Sequence, residues 1–319
     1  MDALSEILKA LRLTSGMFLD VEFTAPWCVD SAPSKNNAGT ILPSAGHVAV
    51  YHLLIEGSCR AQLDSGGNMM DLAQGDLILF PQGNGHRMGS DLRILPTPAE
   101  ALVEKSSDGS LARIRHGGGG TRTRFVCGFL ACDHRLCRPL LDALPAMLRV
   151  SMGDDPAAAW VADTLKRGAN ETHAPRAGTG AVLTRLAELL FVETLRRYVE
   201  MLPAEQRGWL AGLRDQHVSK ALALLHAQPS CNWTVEDLGR EVGLSRSALA
   251  ERFVELIGEP PMQYLTRWRL ALAARELRET RTPIIRLAAQ VGYESESAFN
   301  RAFKREFGMP PAAWRRMSS

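Results

Sequence analysis

The chain has 319 residues, of which 45% are hydrophobic and 23% charged, and its formal net charge is +2. This composition excludes a disordered or fibrous polymer and leaves enough apolar mass for two or three domains with sizeable cores. No apolar run approaches the length of a membrane span and the N-terminus lacks a basic-apolar-cleavage pattern, so a cytoplasmic protein with no membrane partner is expected.

Charge is unevenly divided. From Arg214 onward there are 16 Lys and Arg against 12 Asp and Glu, a net of +4, which leaves −2 for the rest of the chain. A mildly basic end on a mildly acidic body suits a nucleic-acid partner. The six cysteines, in an intracellular chain, argue against a disulfide framework and stand as candidates for metal or redox chemistry.

Residues 1–20 are expected to form an arm, because Leu4, Ile7, Leu8 and Leu11 share one helical face. Such a helix docks on a neighbouring surface or acts as a regulatory arm. From Val21 to Cys132 the pattern changes to short β segments: Val48–Ile55, Ser58–Leu63, Asp76–Phe80 and Arg124–Leu130. Glycine-bearing turns separate them, as in a sandwich or barrel. Lys105–Thr123, with Gly117 to Gly120 in a row, reads as a mobile loop at a barrel mouth. No GK[ST] follows those glycines, so no phosphate loop is implied.

Gly75, Pro81, Gly83 and His86 fall at the spacing of the second cupin motif, and His52 with Glu56-Gly57 resembles what is left of the first. Residues 21–137 therefore resemble a cupin-type sensor barrel. The family's first histidine is replaced by Val50, so the resemblance leaves His52, Glu56 and His86 as a reduced ligand set. Three readings stay open: the lining of an effector pocket, a metal site, or a relic with His86 satisfied by a backbone carbonyl. Cys127, Cys132 and Cys137 follow as the densest soft-ligand cluster. Cys127 is expected on a strand facing His52 and His86. A tetrahedral zinc site of His52, His86, Cys127 and Cys132 is one candidate; a buried thiol and redox sensing at Cys127, Cys132 and Cys137 are the others. The resemblance extends to a cupin subgroup that includes a reactive-chlorine-species sensor working through cysteines.

Residues 138–212 read as a helical dimerisation and connector region. A helix starts near Pro139, Asp154–Gly180 reads as containing a loose loop, and Ala181–Leu202 is a long helix. Val182, Leu186, Leu189, Leu190, Val192, Leu195 and Val199 spread over much of its circumference, so it is covered on more than one side. The cover is either the barrel or the same helix of a second chain. Pro203–Gly212 is the expected hinge.

Residues 213–319 say one thing twice. Thr234–Pro261 and Pro283–Pro311 align Val242-Gly243 with Val291-Gly292, Phe253 with Phe303, and Gly258 with Gly308, each pair followed by a Pro-Pro stop. Each copy has the grammar of a helix-turn-helix: an amphipathic helix, a glycine turn and a second helix ended by glycine and proline. The outward residues of the second helices are Arg246, Ser247, Ala250 and Glu251 in one copy, and Glu296, Ser297, Asn300 and Arg301 in the other, followed by Lys304 and Arg305. Asn suits adenine, Arg suits guanine, and the last two cations suit phosphates.

The run from Gly292-Tyr293 through Ser297-Ala298-Phe299, Arg301-Ala302-Phe303-Lys304 and Phe307-Gly308 to Pro310-Pro311 and Trp314-Arg315 resembles the AraC/XylS family of transcription regulators. That resemblance implies a linker helix at Gln263–Arg278, two recognition helices in successive major grooves, a homodimer, and RNA polymerase as a further partner. Ala250 and Glu251 depart from base-reading chemistry, so the first helix is expected to position more than to specify. The fold class expected is α+β: a cupin-like barrel with dimerisation helices, then an all-α domain of two helix-turn-helix subdomains. The expected function is a DNA-binding regulator, not an enzyme, controlled by a small molecule, metal or oxidant. The competing class is a metal-dependent cupin enzyme with a DNA-binding tail, which the loss of a histidine at Val50 disfavours.

Overall fold

The computed structural model describes residues 2–11, 14–31, 47–104, 112–132, 134–170, 178–203 and 205–317. In chain order the elements begin with α1 (Ala3–Leu11), β1 (Thr14–Thr24), β2 (Cys28–Ser31), β3 (His47–Glu56), β4 (Ser58–Leu63), β5 (Met70–Ala73), β6 (Asp76–Phe80) and β7 (His86–Gly89). Next come β8 (Thr97–Pro98), β9 (Ala112–Gly117), β10 (Arg122–Cys132), α2 (His134–Leu141), β11 (Leu148–Ser151), α3 (Pro156–Asn170) and α4 (Thr179–Met201). The remainder is helical: α5 (Trp209–Arg214), α6 (Gln216–Ala227), α7 (Val235–Val242), α8 (Arg246–Ile257), α9 (Pro261–Glu279), α10 (Ile284–Gln290), α11 (Glu296–Phe307) and α12 (Pro311–Met317).

Two compact units result, one of residues 13–132 with 144–201, the other of residues 1–12, 133–143 and 202–319. In the first, a six-stranded sheet of order β11-β6-β3-β10-β1-β9 faces a five-stranded sheet of order β5-β4-β7-β2-β8. One core fills the space between them, with Val21, Phe23, Leu54, Phe80 and Phe125 from the larger sheet meeting Ala61, Leu72 and Met88 from the smaller. Strand alternation sends Ile78 and Phe80 into that core. Leu77 and Leu79 point the other way and, with Tyr51 and Leu130, meet Ala187, Leu190 and Phe191 of α4. Covered on both faces, β6 is buried at every position, which is why these strands read as unbroken apolar runs rather than alternations. Tyr51 lies so close over β10 that a Cβ on Gly128 would come 2.6 Å from its hydroxyl oxygen. Only glycine fits there.

One sequence expectation changes in this unit and a second is narrowed. The expected mobile loop Lys105–Thr123 contains β9, which pairs in parallel with β1 through Ile114↔Val21; residues 105–111 lie outside the described residues. Ile114 is the one fully buried side chain of a strand otherwise rich in Arg and His, so its apolar signal is too short to register. Asp154–Gly180, expected to contain a loose loop, holds α3, whose Ala158, Val161 and Leu165 are buried at helical spacing; residues 171–177 lie outside the described residues.

In the second unit α1 packs on α6, burying Ala3 and Ile7, and α2 packs on α5 and α9. The arm helix and the start of the expected connector thus group with the helix-turn-helix residues. α9 joins the two repeats and is buried at Tyr264, Leu265, Trp268, Leu270, Ala273, Ala274 and Leu277. Leu270, Ala273, Ala274 and Leu277 share a cluster with Phe299 and Phe303 of α11.

Candidate nucleic-acid interface and cupin-like cavity

Each helix-turn-helix is built by local rules before any tertiary contact. Thr234 and Asp237 form a capping box at the start of α7, and Gly243 ends it in the left-handed region at φ 79°. Ser245 caps α8 by accepting from the Ala248 N–H at 3.2 Å, and Ser295 caps α11 by accepting from the Ala298 N–H at 3.2 Å. The equivalence reaches side-chain detail: Ser245 and Ser247 hydroxyls are 3.3 Å apart, as are Ser295 and Ser297. Gly258 and Gly308 end the second helices at φ 88° and 76°. Leu249 and Phe253 anchor α8, and Phe299, Ala302 and Phe303 anchor α11.

With those residues facing inward, the opposite faces are fixed. Arg246, Ser247 and Glu251 are exposed on α8, while Ala250 is half-buried. On α11 Ser297, Arg301, Lys304 and Arg305 are exposed, and Glu296 and Asn300 are half-buried. Arg246, Arg301 and Lys304 enter no ion pair among the described residues, whereas Arg252 is held to Asp215 with its Nε 2.7 Å from the carboxylate. Val254 is a residue that sequence reasoning missed. It is 41% exposed and stands seven positions after Ser247, a spacing that would have found it.

A second missed residue is Arg269 on α9. Its Nε donates to the Pro229 carbonyl at 2.6 Å, Nη2 to Cys231 at 2.8 Å and Nη1 to Gly292 at 3.2 Å. One planar fork thereby ties the approach to the first helix-turn-helix to the turn of the second. Burial pulls its pKa below the usual guanidinium value. A Cβ on Gly292 would lie 2.8 Å from the Arg269 Cζ, and Gly292 has φ 86°, so this glycine answers to both turn and clamp. No sequence periodicity signals an arginine that bonds carbonyls.

The sheet unit holds the other site. His52 of β3, His86 of β7 and Cys127 of β10 line one cavity between the sheets. His52 and Cys127 are cross-strand partners. The His52 and His86 Nε2 atoms are 2.9 Å apart, and His86 Nδ1 lies 2.9 Å from the Asn84 carbonyl oxygen. Phe80 stacks on the His86 ring with centroids 3.6 Å apart. Burial, and secondarily the other imidazole, holds the His52 pKa well below its ordinary value. Burial likewise lowers that of His86 to about 4, partly offset by the Asn84 carbonyl. The Cys127 thiol is pushed up, first by burial and then by Asp20, which disfavours the reactive thiolate.

The remaining sensor candidates do not join this site. Glu56 accepts from Arg122 Nε at 2.9 Å. Cys132 and Cys137 are disulfide-bonded cysteines, and Cys28, Cys59, Cys127 and Cys231 are free thiols. Among the described residues no group of three or more His, Cys, Asp or Glu is arranged to hold a metal ion. The expected quartet of His52, His86, Cys127 and Cys132 therefore does not fit zinc: Cys132 is spent on its disulfide.

Comparisons agree with both halves. A cupin family profile matches residues 2–200, and a helix-turn-helix domain profile matches residues 238–317. A putative AraC-like transcription regulator of Streptomyces lividans is 35% identical over 99% of this chain and 98% of its own length. The transcriptional regulator AlkR of Acinetobacter baylyi is 29% identical over 100% of both chains. The RCS-specific transcriptional activator RclR of Escherichia coli is 26% identical over 85% of this chain and 86% of its own. No described helix is long and apolar enough to cross a membrane. These relatives are named as regulators of transcription, and the two profiles cover the two kinds of site described above. The chain belongs to the AraC-like, DNA-binding transcription regulators that carry an N-terminal cupin domain.

Proposed function

We propose that both helix-turn-helix units read one duplex operator and that the cupin unit takes up the signal that controls them. The observation that carries the DNA half is the outward face of α11, where exposed Arg301, Lys304 and Arg305 stand beside Asn300. Asn300 and Arg301 reach base edges, and Lys304 and Arg305 meet phosphates. Ser297 and the half-buried Glu296 flank them. On α8, Arg246 meets phosphate, and Ser247, Ala250 and Glu251 set the register. The signal half rests on the cavity holding His52, His86 and Cys127. Val182 and Leu189 are exposed on one face of α4, and a homodimer that covers them would present a second pair of readers to DNA. Contact with RNA polymerase and residence in the cytoplasm belong to the same reading.

The test is selection of a duplex from a random pool by the purified protein, then Arg301→Ala on the selected site. Loss of one bidentate contact weakens binding by roughly tenfold or more and relaxes preference at one base pair, with the circular dichroism unchanged. Unchanged affinity would overturn the assignment. An oxidant as the signal is favoured by one observation, that Cys132 and Cys137 are disulfide-bonded cysteines. Under that reading dithiothreitol changes operator affinity and Cys137→Ser abolishes the change; affinity indifferent to reductant removes it.

A further inference from the structure

We propose that the cavity between the two sheets binds an uncharged, largely apolar small molecule carrying one hydrogen-bond donor, of the phenol class. This deepens the sensor reading above and rests on it. The cavity is small, about 60 Å3, below the roughly 300–1,000 Å3 of drug-sized ligand sites, so only a small molecule fits. Its walls are mostly apolar, with Val21, Phe23 and Phe125 from one sheet and Val29 and Met88 from the other, and Ser31 adds one hydroxyl. No lysine, arginine, aspartate or glutamate lines it among the described residues. A charged ligand would therefore be desolvated without a partner, and that costs more than the apolar contacts return.

Besides the Ser31 hydroxyl, the polar groups of the site are the histidine pair, and the hydrogens of that pair can be counted. The Asn84 carbonyl only accepts, so the 2.9 Å contact places a hydrogen on His86 Nδ1. His86 Nε2 is then a bare acceptor, and the 2.9 Å contact between the rings requires the hydrogen on His52 Nε2. Two doubly protonated rings could not approach so closely. Both hydrogens of the neutral pair are committed, and the capacity left over is the lone pair of His52 Nδ1. A ligand that hydrogen-bonds to this pair must bring the hydrogen itself. A hydroxyl on an apolar ring does so, and the flat rings of Phe23, Phe125 and His52 suit an aromatic body. A carboxylate brings charge and no hydrogen, and it is rejected on both counts.

Three probes of one shape separate these terms: p-cresol, p-xylene and the p-toluate anion, titrated into the full-length protein by calorimetry. We expect p-cresol to bind, p-xylene to bind roughly tenfold more weakly for want of one hydrogen bond, and p-toluate not to bind. Ala99, half-exposed in the lining, tolerates enlargement without strain in the core; Ala99→Phe abolishes p-cresol binding and leaves the melting temperature of the free protein unchanged. His52→Phe brings p-cresol and p-xylene to equal affinity. Equal binding of cresol and toluate, equal binding of cresol and xylene by the unaltered protein, binding that survives Ala99→Phe, or no binding of any probe each overturns the proposal. Duplex binding by the same preparation is measured in parallel. If it persists while the probes fail, the ligand class is wrong and the regulator reading stands; if it is absent, the regulator reading itself fails.

Discussion

Replacing Arg269 by Met keeps most of the apolar stem and removes every donor of the clamp. The carbonyls of Pro229, Cys231 and Gly292 then lose a charged partner. A hydrogen bond to a charged group contributes about 1.5–3 kcal/mol when desolvated, but this guanidinium is half-buried and water replaces part of the loss. About 1 kcal/mol per bond is the appropriate scale, hence about 3 kcal/mol in all. For a unit of this size that is about 9 °C in melting temperature, at about 3 °C per kcal/mol. Arg269→Lys supplies one compact donor where three directions are needed, so it recovers only part of the loss. The assay is thermal unfolding of the full chain by circular dichroism, with operator binding measured beside it. Because the fork links the two repeats, the Met variant also tolerates altered spacing between the two half-sites better than the unaltered protein. Met and Lys variants that both melt within about a degree of the parent would refute the reasoning from this clamp.

Other consequences are as direct. Denatured without reductant, the protein titrates four free thiols, those of Cys28, Cys59, Cys127 and Cys231, and reduction first raises the count by the two cysteines of the disulfide; six thiols without reductant would contradict it. Acid destabilises the helical unit through His226. Its Nε2 lies 2.7 Å from the Tyr264 hydroxyl, and the Trp209 Nε1 donates to that hydroxyl at 3.0 Å. Burial holds the His226 pKa at about 4, with the Ala3 backbone offsetting part of the effect. The unfolded chain takes up this proton near pH 6.5 and the folded chain only near pH 4, so stability is full above about 6.5 and falls by about 3 kcal/mol on the way to 4. Urea unfolding at pH 7 and pH 4.5 measures it; His226→Gln must show a smaller difference between the two, and an equal one defeats the assignment.

The repeats were the most legible part of the sequence because their signals are local. Left-handed glycines at Gly243, Gly292 and Gly308 and the Pro-Pro stops each act within one turn of chain, and each sits where expected. Gly75–His86 and His52 likewise placed two histidines in one cavity, since strand alternation is also a short-range rule. What escaped depends on partners distant in sequence. Nothing near Arg269 foretells three carbonyls from 23 to 40 residues away. β9 carries too little apolar signal to be distinguished from a loop until β1 pairs with it. Glu56 looked like a ligand by its place in a motif, yet at the end of β3 it reaches Arg122 across the strand. The spacing of Cys132 and Cys137 did not distinguish disulfide-bonded cysteines from metal ligands.

The central claim is tested most directly by the salt dependence of binding to a duplex selected by the protein itself. With Arg246, Arg301, Lys304 and Arg305 exposed for contact, the logarithm of affinity should fall steeply and linearly with the logarithm of salt concentration. Lys304→Ala should lower that slope by about one unit while leaving the preferred sequence unchanged. Affinity that is indifferent to salt, or equal for the selected and a scrambled duplex, would contradict the assignment of α8 and α11 as the readers.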